Sequence, residues 1–180
     1  MATLTPSYSA LPVPALHAIR DGFARSGIRV GAVFLMRDPV ERCLSAIRMY
    51  KRTGRSRHGV DVGLPDDQML LRYLETDQAL LRTDYPATLA RPEAVFGPDE
   101  ILTGFYESMF EPGFFMQFKH FFGCTPDPDS LRRFHSTERG AVIPDEPRAR
   151  AARLLRPIYL FCAERVPETR RLWAHSLAGL

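Results

Sequence analysis

The sequence predicts an α/β fold in which a parallel sheet is flanked by helices, and three observations support this class. A nearly unbroken apolar run at 30–36 is typical of a strand that is covered on both faces in a parallel sheet. A second strand is predicted at 100–106, and helical apolar spacing occupies the chain between and after the two runs. Strands separated by helices indicate layers of helix on a parallel sheet.

The first predicted helix covers 14–26, where Leu16, Ile19 and Phe23 recur on one face. Gly27 follows directly and gives a C-terminal stop signal. The chain therefore enters the first strand from a helix.

A second helix is signalled directly after the first strand. Arg37 ends the apolar run, Asp38 can cap the helix, and Pro39 occupies its first position. Glu41 comes three residues after the cap, as in a capping box. We expect this helix to run to about Lys51.

The remaining elements alternate with segments of loop composition. The basic, glycine-containing segment 52–64 and the proline-rich segment 124–147 are expected to be irregular. Apolar spacing predicts the later helices at about 65–74, 85–96, 114–122, 148–164 and 167–177.

Bulk composition restricts the class of protein. A chain of 180 residues, with 45% hydrophobic and 25% charged residues, is expected to form a single domain over 1–180. The N-terminus lacks the features of a signal peptide, and no apolar run is long enough for a membrane span, so no membrane partner is expected. Three widely spaced cysteines predict neither a disulfide framework nor a metal site, which indicates a cytoplasmic protein. A net charge of +3 is too small to require a nucleic-acid partner.

The strongest candidate for a binding site is the end of the first strand. Ligands of open α/β sheets bind at the carboxyl edge of the strands, and a helix N-terminus there offers free N–H groups. A phosphate held by Arg37 could also receive a hydrogen bond from Ser45, nearly two turns into the helix. The residues leave a second interpretation open, in which Arg37 and Arg42 pair with Asp38 and Glu41 and Ser45 is a small residue at a helix contact.

The pattern Arg-Asp-Pro-x-x-Arg-x-x-Ser at 37–45 resembles the 3′-phosphate-binding motif of sulfotransferases that use 3′-phosphoadenosine 5′-phosphosulfate (PAPS). The resemblance covers essentially all 180 residues, as the C-terminal two-thirds of the family domain, and favours the bacterial and carbohydrate-type branch. Further segments that are similar to the family, in the same order, are Thr5-Pro6-Ser7-Tyr8, Tyr85-x-x-x-Leu89, 96–102, Tyr106-Glu107 and Phe121-Phe122-Gly123.

The resemblance implies a P-loop-kinase-like fold and transfer of a sulfuryl group from PAPS to a hydroxyl or amine of a carbohydrate or small-molecule acceptor. It implies that Arg37 and Ser45 bind the 3′-phosphate of PAPS or of adenosine 3′,5′-bisphosphate. Arg139 and Gly140 are similar in position to a basic-glycine loop that closes over the nucleotide, or they form a solvated basic turn. No metal is implied, and no catalytic base is identified.

One departure from the family pattern limits what the resemblance implies about activity, and we expect sulfuryl transfer by this chain alone to be absent or feeble. Family members begin with a strand and a loop of the Lys-x-Gly-Thr-Thr kind that binds the 5′-phosphosulfate, and we expect this N-terminal part of the fold to be missing. An unpaired apolar strand edge is then expected, which favours a homo- or hetero-oligomer. The alternative function is a non-catalytic, truncated paralogue or partner subunit that retains at most binding of a 3′-phosphonucleotide.

The acceptor is not specified by any motif. One basic cluster can attract an anionic acceptor, although a solvated face explains it equally well. Its members are Arg48, Lys51, Arg52, Arg55, Arg57 and His58.

Overall fold

The computed structural model describes residues 6–123, 143–178 and 180. These residues form an α/β structure that is mostly helical and contains a small parallel sheet of two strands. The predicted α/β class is confirmed at this level. The chain divides into two compact units, Met1–Met36 with Pro86–Arg132, and Arg37–Tyr85 with Arg133–Leu180.

The described elements follow the predicted order over most of the chain. The first half contains a 3₁₀ turn at Pro6–Ala10, α1 (Val13–Ala24), β1 (Ala32–Met36), α2 (Pro39–Thr53), α3 (Asp66–Leu74) and α4 (Asp77–Thr83). The second half contains α5 (Tyr85–Glu93), a 3₁₀ turn at Pro98–Glu100, β2 (Ile101–Phe105), α6 (Pro112–Phe122), α7 (Asp145–Leu154), α8 (Arg156–Arg165), α9 (Thr169–Leu172) and α10 (Ala174–Leu177).

The sheet of the first unit is a parallel pair whose strands end at the same level. Ala32 lies opposite Ile101, and Met36 lies opposite Phe105. The backbone N–H of Tyr106 donates to the carbonyl of Met36 at 2.7 Å, which extends the pairing by one residue. The carboxyl ends of both strands therefore share one edge of the sheet.

Burial of β1 differs from the prediction. Only Met36 is buried in this strand, and the four preceding residues are partly exposed. Neither α1 nor α6 contributes a fully buried residue. The apolar run was expected to be covered on both faces, and that expectation is wrong for most of the strand. Burial depends on how many elements pack against a strand and not on the sequence of the strand alone.

Two glycines let α6 approach the sheet of this unit closely. A Cβ atom at Gly104 would collide with the ring of Phe114, and one at Gly31 would collide with the ring of Phe121. Both rings belong to α6. Glycine is therefore required at these two positions for this packing.

The second unit has a core built on α2. The buried residues of α2 recur at helical spacing and face α3 and α7. The largest fully buried side chains of the second unit are Trp173, Tyr85, Tyr159, Leu44, Ile47, Met69, Leu70, Val40, Val60, Thr83 and Thr169.

The C-terminal region is more fragmented than predicted. The helix expected at 148–164 is two helices separated at Leu155, because Pro157 lies near the start of α8 and cannot continue the hydrogen bonding of α7. The helix expected at 167–177 is likewise interrupted at Trp173. Across the described ranges, no helix combines the length and the apolar character that a membrane crossing requires.

Candidate functional site

The candidate site begins where α2 begins, and Asp38 caps that helix as predicted. Oδ1 of Asp38 accepts hydrogen bonds from the backbone N–H groups of Val40 and Glu41, at 2.9 and 3.1 Å. Pro39 occupies the first helical position, where a missing N–H has no consequence. Arg37 is thereby fixed directly before a capped helix.

The same cap corrects one expectation about anion binding. The helix N-terminus was expected to offer free N–H groups to a phosphate, but those of Val40 and Glu41 are engaged by the carboxylate of Asp38. An anion bound near Arg37 would therefore depend on side chains rather than on these two amides.

A buried aromatic group supports the backbone of Arg37 and the side chain of Asp38. The hydroxyl of Tyr159 donates to Oδ1 of Asp38 at 2.7 Å, and the hydroxyl of Tyr85 donates to the carbonyl of Arg37 at 2.6 Å. The indole of Trp173 contacts both phenol rings, with centroid distances of 6.3 Å to Tyr85 and 6.1 Å to Tyr159. We call Tyr85, Tyr159 and Trp173 the aromatic support.

The side chain of Arg37 lies near a carboxylate that is shared with a second arginine. Nη2 of Arg37 is 3.9 Å from Oε2 of Glu41, one helical turn along the chain. The other carboxylate oxygen of Glu41 contacts Arg148 of α7. Ion pairs with this degree of exposure contribute only ~0–1 kcal/mol. The pairing of Arg37 with Glu41 that the sequence left open does occur, but it is a weak pair.

Ser45 lies on the exposed side of α2, eight residues after Arg37 in the chain. Its hydroxyl is therefore accessible from solvent. The structure places Arg37 and Ser45 in the same unit, the first at the start of α2 and the second two turns along it. Arg139 and Gly140 lie outside the described residues.

Two features of the site had no sequence signal. Tyr159 and Trp173 come more than a hundred residues after Asp38, and a buried aromatic residue in a C-terminal helix predicts only a core position. Arg148 was expected to start a helix and was not expected to contact Glu41.

In the parts of the chain that the structure describes, no group of three or more His, Cys, Asp or Glu residues could hold a metal ion.

Burial of the thiols and phenols around α2 makes the free energy of unfolding depend on pH in the alkaline range. Burial raises the pKa of Cys43 and of Cys162 from 9.0 to about 12, and burial also raises the pKa of Tyr85 and of Tyr159. Above pH 9.0 the unfolded chain loses protons that the folded chain retains. The stability due to these groups is therefore complete below pH 9.0 and is lost as the pH rises toward about 12.

We expect the free energy of unfolding, measured in urea by tryptophan fluorescence, to fall steadily between pH 9 and pH 11. The variant Cys43→Ala should show a shallower fall, because it lacks one of the groups that bind protons only in the folded state. A free energy of unfolding that stays constant over this range would contradict the prediction.

Comparison with known proteins gives no assignment. No protein-family model matches the chain, and neither the search of curated proteins nor the search of solved structures yields a match.

Proposed function

We propose that this chain binds a 3′-phosphonucleotide through Arg37 and Ser45, and that it is related to the PAPS-dependent sulfotransferases. One observation carries the proposal: Arg37 is anchored by its own carbonyl to buried Tyr85, directly before a capped helix whose exposed face presents Ser45. This arrangement is compatible with the resemblance of the pattern at 37–45 to a phosphate-binding motif. The parallel pair of β1 and β2 is compatible with the P-loop-kinase-like sheet that the resemblance implies.

Arg37 is suited to phosphate because a guanidinium can donate two parallel hydrogen bonds to phosphate oxygens. A phosphate dianion carries more charge than the carboxylate of Glu41, and the Arg37–Glu41 distance of 3.9 Å is longer than a good hydrogen bond. We therefore expect the phosphate to displace Glu41 from Arg37. Glu41 would keep its contact with Arg148.

The proposed reaction is in-line transfer of a sulfuryl group to a hydroxyl or amine of a carbohydrate or small molecule. PAPS would supply the sulfuryl group when bound and would leave as adenosine 3′,5′-bisphosphate, while the acceptor would lose its proton to solvent. Arg37 and Ser45 would hold the nucleotide by its 3′-phosphate, away from the reacting atoms, and so act by positioning. The buried support beneath Arg37 would keep that geometry fixed.

Isothermal titration with adenosine 3′,5′-bisphosphate tests the proposal. We expect measurable binding that Arg37→Ala weakens by ~1.5–3 kcal/mol, the range for a charged hydrogen bond. Ser45→Ala should weaken binding less, because a neutral hydroxyl contributes roughly 0.5–1.5 kcal/mol. The matched control is Arg72→Ala, which removes an exposed arginine paired with Glu75 at the surface of the same unit.

Absence of binding heat from the wild-type chain, or equal affinity in Arg37→Ala and Arg72→Ala, would contradict the proposal. Binding without transfer of a sulfuryl group to any acceptor would assign the chain to the non-catalytic alternative.

A further inference from the structure

A cavity at the amino ends of β1 and β2 takes no part in the proposed nucleotide site. Its volume is about 240 Å³. Gly31 directly precedes β1 and Glu100 directly precedes β2, so the cavity lies at the end of the sheet opposite to the carboxyl edge. The described lining, all of it in the first unit, includes Arg29, Gly31, Asp99, Glu100, Phe121 and Phe122.

Two phenyl rings from the last turn of α6 form the apolar wall of this cavity. Phe121 and Phe122 are half-buried and pack edge-to-face, with ring centroids 4.8 Å apart. Gly31 leaves room for the first ring, because a Cβ atom there would lie 2.7 Å from two carbons of Phe121. The wall is therefore shaped by the start of β1 as well as by α6, and an apolar ligand group would remove it from water.

A guanidinium lines the same cavity without an ion-pair partner. Nη2 of Arg29 donates to the carbonyl of Phe121 at 3.3 Å, a carbonyl in the last turn of α6 that has no acceptor role within the helix. This contact uses one of the five N–H donors of the guanidinium. Among the residues that the structure describes, no carboxylate forms an ion pair with Arg29.

Two consecutive carboxylates supply negative charge to the cavity. Glu100 is held by one oxygen, since its Oε2 accepts the backbone N–H of Gly97 at 2.9 Å, and Asp99 is exposed. Within the described ranges neither carboxylate is paired with a cation. Charges of opposite sign thus line one cavity and stay apart, which complements a ligand that carries both charges better than a simple anion or cation.

We propose that this cavity binds a small zwitterion with an apolar body, the chemical class of a free amino acid with an aromatic side chain. The ligand carboxylate contacts Arg29, its ammonium group contacts Asp99 and Glu100, and its ring packs on Phe121 and Phe122. The volume of about 240 Å³ is below the ~300–1,000 Å³ of pockets for drug-sized molecules, which favours a ligand of this size. The inference does not rest on the nucleotide proposal, because it uses none of the same residues.

Titration of the ¹⁵N-labelled wild-type chain with L-phenylalanine, followed by amide chemical shifts, tests the proposal. We expect saturable shifts at Gly31, Glu100 and Phe122. The probes 2-phenylethylamine and 3-phenylpropanoate keep the aromatic body but carry one charge each, and both should bind at least about threefold more weakly. The expected factor is modest because pairs between exposed charges contribute only ~0–1 kcal/mol.

Variants assign each charge of the ligand to its partner. Arg29→Gln should weaken binding of L-phenylalanine by about threefold or more and should leave binding of 2-phenylethylamine nearly unchanged. Asp99→Asn combined with Glu100→Gln should have a similar effect on L-phenylalanine and little effect on 3-phenylpropanoate, and Glu100→Gln keeps an acceptor for the N–H of Gly97. Arg25→Gln is the matched control, because it removes an exposed arginine of the same unit that does not line the cavity.

Absence of saturable shifts at the cavity amides, or equal affinity for L-phenylalanine in Arg29→Gln and Arg25→Gln, would overturn the proposal. Binding of 2-phenylethylamine as tight as that of L-phenylalanine would also overturn it, because Arg29 would then contact no group of the ligand. The titrations contain no nucleotide, so their failure and the failure of the nucleotide proposal can be distinguished.

Discussion

Replacing Trp173 with alanine is expected to lower the free energy of unfolding by ~3–5 kcal/mol, the range for removing a buried aromatic side chain. The indole is almost completely buried, with 1% of its surface exposed. It contacts the rings of both Tyr85 and Tyr159. The substitution therefore leaves a cavity beneath the two phenols that hold the carbonyl of Arg37 and the carboxylate of Asp38.

Urea denaturation followed by circular dichroism measures this effect. Leu154→Ala is the matched control, because this apolar residue is 59% exposed and its truncation should change stability by less than ~0.5 kcal/mol. Trp173→Ala should also weaken nucleotide binding under conditions where the variant is folded, because the support beneath Arg37 is lost. A loss of stability as small as that of Leu154→Ala would show that the indole does not pack in this core.

Asp38→Ala is expected to lower the free energy of unfolding by roughly 2–4 kcal/mol. The carboxylate caps α2 through two backbone N–H groups, and a lost cap costs ~0.5–2 kcal/mol. It also accepts from the buried hydroxyl of Tyr159, and a buried hydroxyl left without its acceptor costs ~1–3 kcal/mol. Both losses occur together because Oδ1 of Asp38 accepts all three hydrogen bonds.

Asp38→Asn is the conservative comparison, because its amide oxygen can still accept these hydrogen bonds, and it should cost much less than Asp38→Ala. Tyr159→Phe removes the donor instead. In the double variant Asp38→Ala with Tyr159→Phe, the losses should be less than additive, because no hydroxyl is left unsatisfied. Strict additivity in a double-mutant cycle would mean that the Asp38–Tyr159 hydrogen bond does not contribute.

The start of α2 was predictable from the sequence because its signals are local. Asp38 and Pro39 act within one turn, so a cap and a first helical position can be identified without knowledge of the tertiary structure. Arg37 and Ser45 became candidates through their positions at the strand end and nearly two turns into the helix, and through the resemblance of the pattern at 37–45, and their role stays a proposal. The engagement of the helix N–H groups by Asp38 follows from the same cap, although the sequence was interpreted as leaving them free.

The support of the site was not predictable, because it comes from distant parts of the chain. Tyr159 reaches Asp38 from α8, Arg148 reaches Glu41 from α7, and Trp173 lies after α9. Nothing in the local sequence of these residues specifies such partners. The shielded and unpartnered Nε of Arg42 was missed for a related reason: nearby carboxylates suggested ion pairs, and only the structure shows that other groups engage them.

The break between α7 and α8 had a local signal that the helical spacing obscured. Pro157 falls inside a stretch of continuous apolar periodicity, and a proline in a helix interior removes a hydrogen bond.

The exposure of β1 had no such signal. Its apolar run is consistent with a strand of any parallel sheet, and the amount of cover depends on neighbouring elements.

The proposed contact between the guanidinium of Arg37 and a 3′-phosphate can be measured in a cycle that combines a protein variant with a ligand variant. Adenosine 3′,5′-bisphosphate and adenosine 5′-monophosphate are titrated into the wild-type chain and into Arg37→Ala. We predict that removal of the 3′-phosphate weakens binding to the wild type by tenfold or more, and that it has little further effect on Arg37→Ala. An equal loss of affinity in both proteins would place the 3′-phosphate away from Arg37 and rule out the proposed contact.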